Sequence, residues 1–203
     1  ECPVTTGSDI VLAAINARYR HTSFGLRYLL ANLGELADRT ELVETQIKES
    51  AERITEAILA KSPRILGLGV YVWNAERALE VVQLLKDKAP ELIIVLGGPE
   101  VSHEWDEQEL VRLADYTITG EGERAFPKLC EALLSGRRPE EAIQHGGALR
   151  LKDLTLPYHL YTDEDLANRV IYVEASRGCP FRCQFCLSSL DRSVRMVDKE
   201  RFF

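Results

Sequence analysis

Along the first 136 residues, apolar runs alternate with amphipathic stretches. DIVLAAI (9–15), RILGLGVYV (64–72) and ELIIVLGG (91–98) are short and almost uninterrupted in apolar residues. That composition belongs to strands buried on both faces. ELVETQI (41–47) and DYTITG (115–120) read as two further strands. Between them, FGLRYLLANLGELA (24–37) sets Leu26, Leu29, Leu30, Leu33 and Leu36 at helical spacing. Ser50 is placed to cap AERITEAILAKS (51–62), which Pro63 stops. Asn74 is placed to cap NAERALEVVQLLKDKA (74–89), with Pro90 past its end. ERAFPKLCEALLSG (123–136) closes on Gly136, a C-cap glycine.

Buried strands separated by amphipathic helices predict an α/β fold: a doubly wound, five-stranded parallel sheet over residues 9–136. The flavodoxin-like strand order 2-1-3-4-5 is expected. The pattern then breaks. RRPEEA opens a linker (137–169) in which GGALRLKDLTLP (146–157) suggests a small extended ribbon and YTDEDLANR (161–169) one helical turn. RVIYVEASRG (169–178) reads as a fresh strand that opens a third segment (170–203), and VDKERFF (197–203) as the start of a helix.

Composition changes this picture little. Of 203 residues, 45% are hydrophobic and 28% charged, as in ordinary globular proteins, and the net charge of −7 argues against a general nucleic-acid binder. Basic residues gather only modestly, from Arg177 to Arg195. No apolar run approaches the about 20 residues of a membrane span. The N-terminal ECPVTTGSD has no Met and no signal-peptide layout, so a cut end and a reducing cytoplasm are expected.

The candidate chemistry lies in GCPFRCQFC (178–186), where Cys179, Cys183 and Cys186 form C-x3-C-x2-C. Structural zinc takes four ligands, commonly as two C-x2-C pairs, and here one such pair exists with no His or Cys after it. His159 lies twenty residues upstream of Cys179, near Pro157. An iron–sulfur cubane takes four thiolates, so three would leave one iron open to a ligand. Thiols on an arginine-flanked loop would be reactive rather than inert. Cys130, flanked by Leu129 and Leu133 on a helix, reads as a core residue, and Cys2 as idle.

Ligands of open parallel sheets bind at the C-terminal ends of the strands. Those ends carry NARYRHTSFG (16–25), YVWN (71–74), GGPEVS (97–102) and GEGE (120–123), with glycines that let a large ligand approach the backbone. The first offers no G-x-G-x-x-G for a dinucleotide and no acidic cluster for a receiver-type magnesium site. Its HTSFG is only a faint echo of a flavin phosphate loop.

YVEASRGCPFRCQFC resembles the opening of a radical S-adenosylmethionine enzyme. VLGGPEVSHE and DYTITGEGERAFPKL, placed upstream of it, resemble the cobalamin-binding domain of the cobalamin-dependent branch of that family; LTLPYHL (154–160) is similar to the linker between the two domains. The resemblance implies that Cys179, Cys183 and Cys186 hold a 4Fe–4S cluster whose fourth iron is chelated by S-adenosylmethionine, with Phe185 near the adenine. Reductive cleavage then makes a 5′-deoxyadenosyl radical, and methylcobalamin methylates an unreactive carbon, or a rearrangement follows.

The resemblance further implies that the dimethylbenzimidazole tail sits near Gly97, Gly98, Pro99 and Glu100. Asn16, Arg18 and Tyr19 with Tyr71, Val72, Trp73 and Asn74 would face the corrin. Gly120, Glu121, Gly122 and Glu123 would meet its ribose-phosphate or propionamide rim. Asp-x-His-x-x-Gly is absent around His21, which is therefore not assigned as a cobalt ligand. Glu174 and Arg177 are expected to form an ion pair beside the cluster strand. Partners implied are a small-molecule or peptide substrate and a reductant such as flavodoxin or ferredoxin, with no membrane or nucleic acid. A fragment holding only the first strand of a radical barrel is expected to be inactive alone; the alternatives to an enzyme part are a non-catalytic corrinoid-binding module or a cofactor-free flavodoxin-like domain.

Overall fold

A computed structural model describes residues 8–189 and 193–202. Cys2 and Phe203 lie outside them. Six parallel strands form one sheet in the order β2-β1-β3-β4-β5-β6: β1 Ile10–Asn16, β2 Thr40–Gln46, β3 Ile65–Gly69, β4 Ile93–Gly97, β5 Tyr116–Thr119 and β6 Ile143–His145. The expected order of the first five holds. The sixth strand was not foreseen, because Ile-Gln-His is too short and polar to carry a strand signal. It is held in register by Thr117, Ile118 and Thr119, with the Thr119 hydroxyl 2.8 Å from His145 Nδ1.

Helices cover both faces. α1 Phe24–Ala31 and α5 Ala125–Leu134 lie on one face; α2 Ala51–Leu59, α3 Ala75–Lys88 and the short α4 Glu109–Leu113 lie on the other. The helix expected over 24–37 is shorter, because Gly34 takes φ +59° and the chain continues as a 3-10 turn, Gly34–Arg39. The Ser50 hydroxyl accepts the Arg53 N–H at 3.3 Å, as a cap should, and Gly136 takes φ +82° just past α5.

The two cores are unequal. Under α2 and α3 the strands present Val11, Ala13, Ile15, Leu66, Leu68, Val70, Ile94 and Leu96, all buried. Under α1 and α5 the alternate positions are Leu12, Gly67 and Val95 in one register row and Ala14, Gly69 and Gly97 in the next. Side chains alternate between faces at every residue, so β3 puts Leu66 and Leu68 on one face and Ile65, Gly67 and Gly69 on the other.

Beyond β6, the chain returns to α1. Leu151, Leu154 and Val197 pack against Tyr28. The ribbon expected over 146–157 is instead an irregular course with a 3-10 turn, Leu151–Asp153, whose last carbonyls accept from Arg201. The helical turn expected over 161–169 is α6, Asp163–Asn168, closed by a Thr162–Asp165 capping box. Asp165 then joins a buried square of charge. Arg27 pairs with Glu44 at 3.0 Å and Asp165 at 2.9 Å, and Arg169 pairs with the same two at 2.8 and 2.9 Å. The four side chains are 4–13% exposed. Burial alone would raise both acids, yet the two guanidiniums hold Glu44 and Asp165 below the ordinary carboxylate range, Asp165 with help from the Thr162 N–H.

The strand expected over 169–178 is extended but makes almost no ladder. Val170 forms one parallel bridge with His21, and Ser176–Arg177 pairs, antiparallel, with Arg195–Met196, before the short α7, Lys199–Phe202. Upstream, tyrosine hydroxyls take the place of a neighbouring strand. Tyr161 Oη accepts the Tyr172 N–H at 3.2 Å and donates to its carbonyl at 2.8 Å; Tyr158 Oη does the same for Glu174 at 3.1 and 3.3 Å.

Candidate functional site

The register row Ala14–Gly69–Gly97 has a direct consequence. Without side chains on two of its three positions, the sheet recedes beneath α1 and α5 at the C-terminal ends of β3 and β4. The space left is a mostly apolar trough of about 580 Å³, floored by Gly67, Gly69, Gly97 and Ile118 and walled by Leu26, Tyr28 and Leu29 on one side and Phe126 on the other. The glycines play two roles. A Cβ at Gly97 would have only the Ile118 carbonyl near it, at 3.9 Å, and one at Gly69 would make ordinary contacts. A Cβ on Gly67 would strike Leu12 and Phe126 at 2.8 Å, and one on Gly98, at φ +109°, would collide with the Val70 carbonyl. Gly69 and Gly97 keep space open; Gly67 and Gly98 let backbone and core close up.

The mouth of the trough is shaped by the loop after β3. Asn74 is 1% exposed. It occupies the N-cap position of α3, but its side chain does not cap. Its Oδ1 accepts the Tyr71 N–H at 2.8 Å, and its Nδ2 donates to the Ile15 and Gly69 carbonyls at 3.0 and 3.2 Å. Tyr71 stacks on Trp73 with centroids 4.4 Å apart, leaving Trp73 half-exposed and Val72 on the surface. Opposite, the Ser102 hydroxyl bridges the Gly98 carbonyl and the Gly120 N–H.

On the lip after β5 stand Glu121 and Glu123, and both meet the segment that leads into the cysteines. Arg177 Nη1 lies 3.1 Å from Glu121 and 2.7 Å from Glu123, while Nε and Nη2 grip Glu174 at 2.9 Å each. Arg195 takes the other oxygen of Glu121. Burial opposes charge here, but the Glu174 and Glu123 carboxylates raise the Arg177 pKa, and Arg195, the Leu149 N–H and Arg177 hold Glu121 below its usual value. The expected Glu174–Arg177 pair is thus part of a larger cluster. The Arg177 guanidinium also lies 5.1 Å over the Tyr28 ring. Tyr28 is 2% exposed, and its phenol is pushed up chiefly by burial and by the nearby Glu174 carboxylate.

Two residues on, Cys179 is half-buried; residues 181–188, Cys183 and Cys186 among them, are exposed, and Phe185 is fully so. The Cys186 N–H donates to the Cys183 carbonyl at 3.3 Å, closing a turn between those two. Among the described residues no three thiols, imidazoles or carboxylates are gathered tightly enough to hold a metal ion. The donor set nevertheless suits a cluster: three thiols within eight residues, on a loop whose Leu187 and Ser188 border the trough.

Residues 10–130 match the family of the B12 binding domain. The chain belongs to the B12-binding family. It is 32% identical over 181 residues to the cobalamin-dependent radical SAM methyltransferase TokK of Streptomyces tokunonensis, covering 76% of this chain and 26% of that protein. It is 31% identical over 182 residues to the 2-(S-pantetheinyl)-carbapenam-3-carboxylate methyltransferase of Streptantibioticus cattleyicolor, with the same coverage of both. The chain therefore spans about a quarter of the length of these curated relatives. In fold it is similar to the radical S-adenosylmethionine methyltransferase TsrM of Kitasatospora setae, solved with cobalamin and a [4Fe-4S] cluster bound. The TM-score is 0.68 at 16% identity, over 96% of this chain and 44% of that one.

Within this B12-binding domain the sequence-predicted residues separate into groups. Tyr71, Gly97, Gly98, Pro99, Gly120, Glu121, Gly122 and Glu123 line the trough, whereas Glu100 does not. Asn16 is turned to the His21 carbonyl and Glu44, and Tyr19 to Glu164 and Arg169, so both serve the linker side; Arg18 is on the exposed loop between them. His21 Nδ1 is 2.6 Å from the Tyr172 hydroxyl. Gly67, Gly69, Tyr28 and Phe126 were missed. The readable signal was a G-x-G inside an otherwise buried apolar strand, where glycine marks a close approach.

Proposed function

We propose that this chain carries the corrinoid seat and the cluster-binding loop of a cobalamin-dependent radical S-adenosylmethionine enzyme that methylates or rearranges an unreactive carbon. The observation that carries the reading is the glycine row at the ends of β3 and β4. It opens an apolar trough directly beneath the approach to C-x3-C-x2-C. A flat heterocyclic tail fits a slot floored by Gly69 and Gly97, where a larger floor residue would fill it. Gly98 and Pro99 would border that tail, and Tyr71 and Trp73 would face the macrocycle at the mouth. Cys179, Cys183 and Cys186 would hold a 4Fe–4S cluster, leaving one iron for S-adenosylmethionine. When bound, the two cofactors supply methyl transfer and radical initiation.

The residues' own part is positional. Asn74 fixes the loop below the aromatic pair, and the apolar walls exclude water from the trough. The Glu121–Glu123–Arg177 cluster sets the cysteine loop at the trough's lip. A small-molecule or peptide substrate and an electron donor of the flavodoxin or ferredoxin kind would complete the system, in the cytoplasm. Among the described residues no helix is long and apolar enough to cross a membrane.

Anaerobic reconstitution with iron, sulfide and hydroxocobalamin, then desalting and metal analysis, tests the reading. Cobalt near one per chain and iron near four, the iron lost in Cys183→Ala, is the expected result. Cobalt without iron would reduce the chain to a corrinoid carrier, and retention of neither would overturn both assignments.

A further inference from the structure

We infer that Arg177 is a positioning residue that couples occupancy of the trough to the placement of the cysteine loop. The inference rests on the corrinoid reading for the identity of the occupant, but not for the latch itself. Arg177 stands two residues before Cys179 and touches both walls of the trough's mouth. It reaches the β5 side through Glu121 and Glu123 and the α1 side by lying over Tyr28. Its own strand is anchored to it by a two-pronged bond to Glu174. One planar guanidinium with five donors can serve three carboxylates and an aromatic face at once, which an ammonium cannot.

Beyond Arg177 the described residues 181–188 are exposed, and the ladder at the loop's base is the two-residue pairing of Ser176–Arg177 with Arg195–Met196. Arg195 ties the far end to Glu121 and the Leu149 carbonyl. Exposed segments open at low cost, so the grip of Arg177 at the near end bears directly on where Cys179 rests. Glu121, Glu123, Tyr28 and Arg177 all border the trough. The Tyr28 side chain is buried there, under the Arg177 guanidinium. A molecule filling the mouth therefore meets the hub directly, and a tightened hub holds Cys179 closer to the trough.

Thiol alkylation reads this residue by residue. Cys130 is buried on α5, its thiol pushed up to about 12 chiefly by burial, so it stays inert unless the domain unfolds and serves as an internal control. The full chain, iron-free and reduced, is treated with iodoacetamide with and without saturating hydroxocobalamin, and each cysteine is quantified by mass spectrometry. In the wild type, cobalamin is expected to slow Cys179. In Arg177→Gln the cobalamin-free rate at Cys179 rises about tenfold, as expected when a buried charge cluster is broken. Cys130 stays protected, and hydroxocobalamin at a concentration that saturates the variant no longer slows Cys179. Arg177→Lys restores the charge without the fork and recovers the protection only in part.

Equal slowing by cobalamin in wild type and Arg177→Gln would overturn the coupling. If Arg177→Gln exposes Cys130, Glu123→Gln, which removes one arm of the hub, is scored by the same criteria. If the wild type retains no cobalamin, the corrinoid reading fails. The latch then stands or falls on the cobalamin-free rate alone: an unchanged Cys179 rate in Arg177→Gln refutes it.

Discussion

Replacing Gly97 with valine should remove cobalamin binding while leaving the fold intact or firmer. Gly97 ends β4, its backbone needs no positive φ, and a Cβ there would have only the Ile118 carbonyl near it, at 3.9 Å. The new side chain would therefore project into the trough without displacing protein. Glycine within a strand costs about 0.5–1 kcal/mol relative to alanine, so the melting temperature should hold or rise by about 2–4 °C. The branched side chain would stand on the floor between Gly69 and Ile118, where the flat tail of the cofactor is proposed to lie. Losing that contact should cost at least about 1.4 kcal/mol, a tenfold loss of affinity. The assay is titration of the apo chain with hydroxocobalamin, followed by its visible spectrum, beside a thermal melt. Gly98→Ala is the contrasting control: its φ of +109° and the Val70 carbonyl behind it should make that change destabilising by about 1–3 kcal/mol. Unchanged cobalamin affinity in Gly97→Val would refute the placement of the tail, whatever the melt shows.

Asp165→Asn should destabilise the chain by about 3 kcal/mol in urea unfolding, because it leaves Arg27 and Arg169 with one buried carboxylate instead of two. Glu44, Asp165 and Glu121 all titrate below their ordinary values in the folded chain. Their contribution is therefore fully present above the unfolded carboxylate range of about 3.9–4.3 and is lost as pH falls through the lower folded values. Urea midpoints should be flat from about pH 7 to pH 5 and fall steeply below about pH 4. Tyr161→Phe removes both hydrogen bonds to Tyr172, and hydrogen exchange at the Tyr172 amide should quicken while exchange in β1 and β3 stays slow. Asn74→Ala strands the Ile15 and Gly69 carbonyls and should cost about 2–3 kcal/mol, with a change in Trp73 fluorescence as the loop loosens.

β1, β3 and β4 were legible because each is an almost continuous apolar run, β2 and β5 as short mixed segments between helical stretches, and the parallel arrangement followed from the helices between them. β6 was not legible: three residues, two of them polar, become a strand only because Thr119 and a long return bring them beside β5. The segment before the cysteines reads as a strand by composition and is extended in fact. Its hydrogen bonds go to hydroxyls of Tyr158 and Tyr161, a pairing no local pattern announces. The glycines at strand ends were visible as turn residues. That Gly69 and Gly97 fall in one row with Ala14 depends on sheet register, which sequence does not carry. The acids of GEGE were legible as residues at a strand end; their pairing with Arg177, 56 residues from Glu121, was not, because nothing nearby signals it.

Asn74 holds the course of residues 71–74 from below, through main-chain atoms of β1, β3 and the loop itself. The side chains of Val72 and Trp73 take no part in that hold and stand outward. The loop is thus a fixed mount with two unlike fittings. Of the two, Val72 can be exchanged at little expense to the fold, while Trp73 also carries the stack on Tyr71, so a change there is felt at the trough wall that Tyr71 lines.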